Sequence, residues 1–344
     1  MNAKNVAIPV HSSTSSPVAK PAKPSLEQRL KGFALGALAA CAAVTFTNPF
    51  EVIKTRLQLQ GELESLALRE KTTTADILHQ QRVYRGPISA LFLIGRQEGL
   101  KGLQKGLIPA YGYQVMMNGT RLGLYEPLRD TLQSGWDYMT SRESGLPPLV
   151  PIMVLSGAMS GFAGAFLGSP LFLIKTRMQS YSPAMPSVGQ QHAYASQGMV
   201  KGLTAVYRAE GLRGLWRGSG MAMMRTGAGS SVQLSSYDLN KQFLLSTGYF
   251  TEGPRLGLSA SLLTSLAVVF VMNPFDVAST RMYNQKANAE GQFMYKSGVD
   301  CLVKTVKGEG LFSLYKGASA HYLRIGPHTI LTLTLFDVLK RFFM

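Results

Sequence analysis

Pro49-Phe-Glu51-Val-Ile-Lys54-Thr-Arg56 is written again as Pro170-Leu-Phe172-Leu-Ile-Lys175-Thr-Arg177, and a third time as Pro274-Phe-Asp276-Val-Ala-Ser279-Thr-Arg281. The three prolines lie 121 and 104 residues apart. A unit of about 100 residues used three times predicts a pseudo-threefold fold. Each proline follows an apolar stretch and precedes charge. That order predicts membrane helices kinked at Pro49, Pro170 and Pro274, each with its charged end at a gate.

Two further phrases keep step with the first. Glu98-Gly-Leu-Lys-Gly-Leu-Gln-Lys-Gly106 returns as Glu210-Gly-Leu-Arg-Gly-Leu-Trp-Arg-Gly218 and as Glu309-Gly-Leu-Phe-Ser-Leu-Tyr-Lys-Gly317. Nineteen residues after each final glycine stands an aromatic–acid pair: Tyr125-Glu126, Tyr237-Asp238 and Phe336-Asp337. Three unrelated phrases holding one register in all three copies exclude coincidence. The boundaries follow: a tail over residues 1–26, then repeats over 27–135, 148–246 and 253–343.

Composition agrees with a membrane setting. Of 344 residues 46% are hydrophobic, and only 16% are charged, against about 25% in a typical soluble domain. Apolar helical segments are predicted near 30–57, 107–130, 150–178, 219–243, 257–283 and 318–342. The odd-numbered segments carry no charge in their middles and are long enough to span about 30 Å of hydrocarbon. Small residues at close spacing, Gly32 and Gly36, then Gly157, Gly161 and Gly164, predict close helix approach there. The even segments are amphipathic and carry Arg121, Arg225 and Arg324 in mid-span. An arginine at bilayer depth costs about 2.5–3.5 kcal/mol on insertion scales, so these three should face a polar central cavity.

The net charge of +16 calls for an anionic partner. Nucleic acid is excluded because the basic residues recur at fixed repeat positions rather than in runs, and no binding motif of that class is present. Enzymatic chemistry finds no nucleophile–base arrangement, and the 5 histidines are scattered. Cys41 and Cys301 give neither a disulfide framework nor metal-ligand spacing, so no metal and no cofactor is expected. Residues 1–26 lack the apolar core of a secretory signal and the arginines of a transit peptide, and read as a disordered tail.

These three phrases resemble those of the mitochondrial carrier family, over residues 30–343. The resemblance implies an all-α membrane protein: six tilted transmembrane helices around a central cavity and three short matrix-side helices, working by alternating access. It implies the mitochondrial inner membrane, lipid partners there, cardiolipin at the matrix-side helix ends, and function as a monomer. It also assigns roles. The acid after each odd-helix proline should pair with the base of the next odd helix, so Glu51 meets Lys175 and Asp276 meets Lys54. The third pair, Phe172 with Ser279, lacks both charges. An orphaned charge there would cost about 3–5 kcal/mol, and losing both partners removes that cost. Gln58 and Gln179 hold the slots of braces under the matrix gate, whereas the third copy has Tyr283. At the cytosolic end Glu126 with Arg129, Asp238 with Lys241, and Asp337 with Lys340 are complete, and are expected to link neighbouring helices.

The family reads its substrate on the even helices, thirteen residues before each cytosolic acid. Tyr113, Arg225 and Arg324 stand there. Arg225 followed by Thr226, together with Arg121, resembles the carriers of oxo-acids and dicarboxylates. Two guanidiniums on facing helices can each clamp a carboxylate through two hydrogen bonds. The runs Asn118–Glu126, Gly168–Arg177, Arg225–Leu234, Met272–Asp276 and Arg324–Ile330 carry the same resemblance. The expected cargo is a small dianion, oxaloacetate first, with sulfate, malonate, malate, oxoglutarate and phosphate as alternatives. Gln114, Asn118, Gln233 and His328 are expected to line the cavity. His328 is also the candidate for proton coupling, since an unperturbed imidazole titrates near neutral pH. No acid lies close in sequence to Arg225 or Arg324, so pairing with a neighbour along the chain is not expected, and a partner acid elsewhere in the chain remains the alternative to substrate contact.

Overall fold

The computed structural model describes residues 26–62, 83–141, 149–288 and 291–343. The tail expected over 1–26 lies outside these residues apart from Leu26, which opens the first helix. Among the described residues there are nine α-helices. They are α1 (Leu26–Leu59), α2 (Pro87–Leu103), α3 (Leu107–Thr140), α4 (Val150–Ser180), α5 (Met199–Leu215), α6 (Ser219–Ser246), α7 (Pro254–Asn284), α8 (Gly298–Glu309) and α9 (Ala318–Phe343).

Six of them are long and form a closed ring in the order α1, α3, α4, α6, α7, α9, with α9 packed back against α1. The most extensive seams join consecutive repeats: α3 with α4, α6 with α7, and α9 with α1. Helices α1, α4 and α7 also touch one another. Each is long and apolar enough to cross a membrane. Their outward side chains, such as Phe46, Phe166 and Phe270, stay exposed, as a lipid-facing surface requires. The short helices lie outside the ring, α2 against α1, α5 against α4 and α8 against α7. Helix α3 runs ten residues past the end expected at 130, reaching Thr140. At 34 residues it is about 50 Å long.

The prolines do not end these helices. α1, α4 and α7 continue through Pro49, Pro170 and Pro274. The residue before the proline ties the helix to the second phrase in two copies. Asn48 Nδ2 donates to the carbonyls of Leu103 and Lys105, each at 3.2 Å, and Asn273 Nδ2 donates to Leu314 O at 2.7 Å.

The second phrase explains the tight docking of the even helices. Its last glycine opens α3, α6 and α9 with φ of +72°, +88° and +75° at Gly106, Gly218 and Gly317. Side-chain-bearing residues rarely adopt this left-handed region. There is also no room for one. A Cβ on Gly106 would lie 3.0 Å from Lys175 O, and one on Gly317 3.1 Å from Lys54 O. The start of each even helix therefore rests on the gate segment of the next repeat's odd helix. Of the spaced glycines in the odd helices, Gly164 makes a close approach, with its Cβ position 3.0 Å from Met117 O. Gly32 has nothing within 4 Å, so its expected packing role is absent.

A strut recurs three times below the gate. The second basic residue of the first phrase reaches the glutamate of the second: Arg56–Glu98 at 2.5 Å, Arg177–Glu210 at 3.0 Å and Arg281–Glu309 at 2.5 Å. Lys105, Arg217 and Lys316 take the other carboxylate oxygens. Burial alone would raise the Glu98 carboxyl, but hydrogen bonds from Arg56, Lys105 and Ser182 hold it at about 2. Removing one partner of such a buried pair costs about 3–5 kcal/mol, so these struts fix where the gate ends of α1, α4 and α7 stand.

Candidate functional site

Where α1, α4 and α7 converge, the first phrase assembles as an interlocked cluster. Lys54 Nζ lies 2.7 Å from Asp276 Oδ2, and Lys175 is paired with Glu51. Both expected matrix-gate pairs are therefore formed in this conformation. Gln58 Nε2 donates to Asp276 Oδ2 at 2.7 Å and accepts from Thr280 Oγ1 at 2.8 Å. Gln179 does not brace its own pair in the same way. It accepts from Thr55 Oγ1 at 3.1 Å and donates to Asn48 Oδ1 at 3.2 Å.

The two central arginines have no local partner, as expected, but each meets a carboxylate from a distant part of the chain. Arg324 Nη1 lies 2.8 Å from Glu51 Oε1, and Arg225 Nη1 lies 3.7 Å from Asp276 Oδ1. The sequence hides this because the partners are far apart along the chain. Seven residues, about two turns, separate Arg225 and Arg324 from Gly218 and Gly317. Those glycines seat the even helices on the gate segments, so both guanidiniums arrive at gate level. Glu51 and Asp276 thus face Lys54, Lys175, Arg225 and Arg324, four cations on two carboxylates. The Nε–H groups of both arginines are buried and find no acceptor among the described residues. An unsatisfied buried donor costs about 1–3 kcal/mol, more when charged.

The slot that lost its charge is aromatic. Phe172 packs between Tyr113 and Tyr283, with centroid distances of 5.0 and 5.2 Å. Tyr283 OH meets Ser169 Oγ at 3.0 Å, so the third brace position buttresses a ring where the other copies have a glutamine. Arg225 lies over Phe172 with Cζ 5.2 Å from the ring centroid, and donates to Tyr113 OH at 3.3 Å. Lys175 Nζ is 5.3 Å from the same ring.

The other expected lining residues differ in exposure. His328 bridges helices, with Nδ1 at 3.4 Å from Thr47 Oγ1 on α1 and Nε2 at 3.2 Å from the Gln114 amide on α3. Thr226 spends its hydroxyl on Ala222 O, 2.9 Å away in its own helix. Arg121 and Gln233 are exposed. Arg121 lies seven residues from Gln114, on the same face of α3. It is eight residues beyond Tyr113, so about 12 Å further along the helix than the Arg225–Arg324 level.

At the opposite end, among the described residues, Asp238, Lys241, Asp337 and Lys340 form no ion pair with one another. Arg129 bonds its neighbour Asp130 at 2.7 Å, and Lys241 lies 3.7 Å from Glu252. Asp238, Asp337 and Lys340 are exposed, and among the described residues none is in an ion pair. The physical reason is geometric. Helices α1, α4 and α7 converge and touch one another at one end of the ring, whereas α3, α6 and α9 form no seam with one another. The conformation is closed at the Pro-phrase end. Also among the described residues, no group of three or more His, Cys, Asp or Glu could hold a metal ion.

Two sets of residues escaped the sequence reading. The struts through Arg56, Arg177 and Arg281 recur in all three copies together with Glu98, Glu210 and Glu309, and that unbroken recurrence was a usable signal. His321 had none. It is fully buried, with Nδ1 3.8 Å from Asp276 Oδ2, where the other two repeats have Ala110 and Ala222.

The profile of the Mitochondrial carrier protein family matches residues 27–135, 149–248 and 253–344. The chain is 45% identical over 305 residues to the mitochondrial oxaloacetate transport protein of Saccharomyces cerevisiae, covering 89% of this chain and 87% of that one. It is 46% identical over 305 residues to mitochondrial citrate transporter E of Aspergillus niger, covering 89% and 91%. Similarity to the mitochondrial 2-oxoglutarate/malate carrier protein of Bos taurus is 34% identity over 319 residues, 93% of each chain.

Proposed function

The chain belongs to the mitochondrial carrier family, as a multi-pass protein of the inner membrane, and from that premise we propose that it carries a small dicarboxylate dianion, oxaloacetate first. One observation carries the reading. Four cations share two carboxylates at the floor of the ring, which leaves two positive charges without a counter-anion. The two arginines also hold their Nε–H donors buried and unpaired among the described residues. A dianion supplies both the charge and the acceptors. A neutral amino acid brings one acceptor carboxylate but no net negative charge. The name of the yeast relative points to oxaloacetate among the dianions.

In this reading Arg225 and Arg324 each clamp one carboxylate, Tyr113 orients Arg225, and Thr226, His328 and Gln233 line the path. Glu51, Lys54, Lys175 and Asp276, with Gln58 and Gln179, form the matrix gate. Glu126, Arg129, Asp238, Lys241, Asp337 and Lys340 form the cytosolic gate, which closes when the matrix gate opens. Coupling is a population shift: the anion must bind the occluded state better than either open state. The protein works as a monomer among inner-membrane lipids, with cardiolipin at the matrix helix ends.

A second reading rests on Arg121. A third cation about 12 Å higher suits a larger or tribasic acid, such as the citrate or oxoglutarate in the names of two relatives.

Uptake of labelled anions into proteoliposomes tests both. Oxaloacetate should be carried in preference to citrate and oxoglutarate. Arg225→Ala and Arg324→Ala should each lower uptake by about 10- to 100-fold, the weight of a charged hydrogen bond. Protein that carries nucleotides or neutral amino acids, or no dianion at all, refutes the proposal.

A further inference from the structure

We propose that Arg225 is the missing third link of the matrix gate, seated on the Phe172 ring, and that the substrate opens this gate by drawing Arg225 off its seat. The inference rests on the dianion reading and adds a gate role to one of its binding residues.

The argument begins with register. Phe172 follows Pro170 by two positions, as Glu51 follows Pro49 and Asp276 follows Pro274. It therefore occupies an acid slot. A carboxylate there would take a cation from position 279 of α7, where Ser279 instead turns its hydroxyl back to Asp276 O at 3.0 Å. Two cations reach position 172, Lys175 from the same helix with Nζ at 5.3 Å and Arg225 from α6, and only the second links Phe172 to another helix. Arg225 stands 5.2 Å above the ring, and an aromatic face attracts a guanidinium within about 6 Å.

The seat is built. Tyr113 and Tyr283 flank the ring, and Ser169 anchors Tyr283. Arg225 itself is only 8% exposed, and it also touches Asp276 at 3.7 Å. One guanidinium thus ties α6 to α3, α4 and α7 at the level of the two ion pairs. A ring attracts a cation without the directional hydrogen bonds of a carboxylate. A substrate carboxylate, able to accept two hydrogen bonds from the same guanidinium, competes with it effectively. At an ion-paired third link the substrate would meet a stronger competitor.

The test uses full-length carrier in proteoliposomes, in a Cys41→Ser, Cys301→Ala background. Ser279→Cys supplies a reporter at a position that is fully buried while the gate is shut. An impermeant maleimide is applied from the matrix face without substrate. Phe172→Leu, which removes the ring but keeps an apolar side chain, should raise the labelling rate about tenfold, the shift such a contact can carry. The same change should lower the half-saturation concentration for oxaloacetate, because the seat no longer competes for Arg225. A merely structural lesion would raise it. Phe172→Tyr should restore the parent labelling rate. Phe172→Glu should raise the half-saturation concentration and depress the maximal rate. Parent-level labelling in Phe172→Leu, or a raised half-saturation concentration there, overturns the proposal. Labelling of the empty carrier does not involve substrate. If the labelling results hold and oxaloacetate is not carried, the substrate assignment alone has failed.

Discussion

Asp276→Asn should destabilise the empty carrier more than Lys54→Gln, and Lys54→Gln should change sign between the two backgrounds. The geometry supplies the magnitudes. Asp276 faces Lys54 at 2.7 Å and Arg225 at 3.7 Å. With an effective dielectric constant of about 20, the gross attractions are about 6 and about 4 kcal/mol. Asp276→Asn removes both and leaves two buried cations without their anion, at a net cost of about 3–5 kcal/mol. Lys54→Gln leaves Asp276 held by Arg225 and by Gln58, whose amide donates at 2.7 Å. Its cost is that of one charge-assisted hydrogen bond, about 1.5–3 kcal/mol. Once Asp276 is neutral, Lys54 is a buried charge with nothing to neutralise it, so removing it becomes favourable. The double variant should be more stable than Asp276→Asn alone by about 1–2 kcal/mol. Thermal unfolding in detergent, followed by thiol exposure of Cys41 and Cys301, measures the four proteins. If Lys54→Gln lowers the transition temperature equally in both backgrounds, Lys54 and Asp276 are not coupled and the gate reasoning fails.

Three further outcomes are expected. Burial, only partly offset by Arg281, lifts the Glu62 carboxyl from 4.5 to about 7. The folded protein therefore holds a proton there that the unfolded chain has lost, and stability falls as pH rises from 4.5 through 7, then levels off. Relative to wild type, Glu62→Gln should gain stability between pH 5 and 8, by about 3 kcal/mol at most, and a pH-independent difference in unfolding temperature would refute this. Gly106→Ala should cost about 1–3 kcal/mol, since its φ is +72° and the new methyl meets Lys175 O at 3.0 Å. Gly32→Ala, with nothing within 4 Å, should stabilise by about 0.5–1 kcal/mol, and unfolding temperatures compare the two. Arg121→Gln should raise the half-saturation concentration in uptake assays while leaving the unfolding temperature of the empty carrier unchanged, because Arg121 is exposed and in no ion pair with any described residue.

Legibility in the sequence tracked repetition. The six long helices, the Glu51–Lys175 and Asp276–Lys54 pairs, and the seating glycines occur in phrases whose three copies can be laid over one another. Repetition marked the equivalent positions, and the family resemblance supplied which of them pair. What could not be read lies where the copies differ. Arg225 and Arg324 have Tyr113 as their counterpart. Symmetry puts all three at one height but does not say that the two guanidiniums turn towards Asp276 and Glu51. That depends on two seams, α6 with α7 and α9 with α1, whose side-chain directions no local pattern specifies. Phe172 illustrates the same limit. Its lost charge is plain in the sequence. The gain of an aromatic seat depends on Tyr113, Tyr283 and Ser169 from three different helices. The extra length of α3 was missed for another reason. Its last ten residues, Thr131–Thr140, lie past the phrase register, where no second copy marks the end.

The asymmetry also bears on how the gates trade places. Each gate acid serves a lysine across the odd helices and an arginine from an even helix. Withdrawing the arginines leaves each acid with its lysine alone, so a bound dianion weakens the matrix gate by removing its outer cations while the two lysine pairs persist. Those pairs must then be given up in the opening itself, and what replaces them is the cytosolic set. In the present conformation Asp238, Asp337 and Lys340 are exposed and in no ion pair with any described residue. Carboxylates and ammonium groups in water are fully solvated, so closing the cytosolic end strips solvation before it gains attraction. Empty, the carrier has no source of that energy. Loaded, it has the anion's contacts with Arg225 and Arg324, which are strongest when both ends close around it. On the proposed dianion reading, exchange of one anion for another should be easier than return of the empty carrier, and uptake into proteoliposomes with and without internal anion measures it.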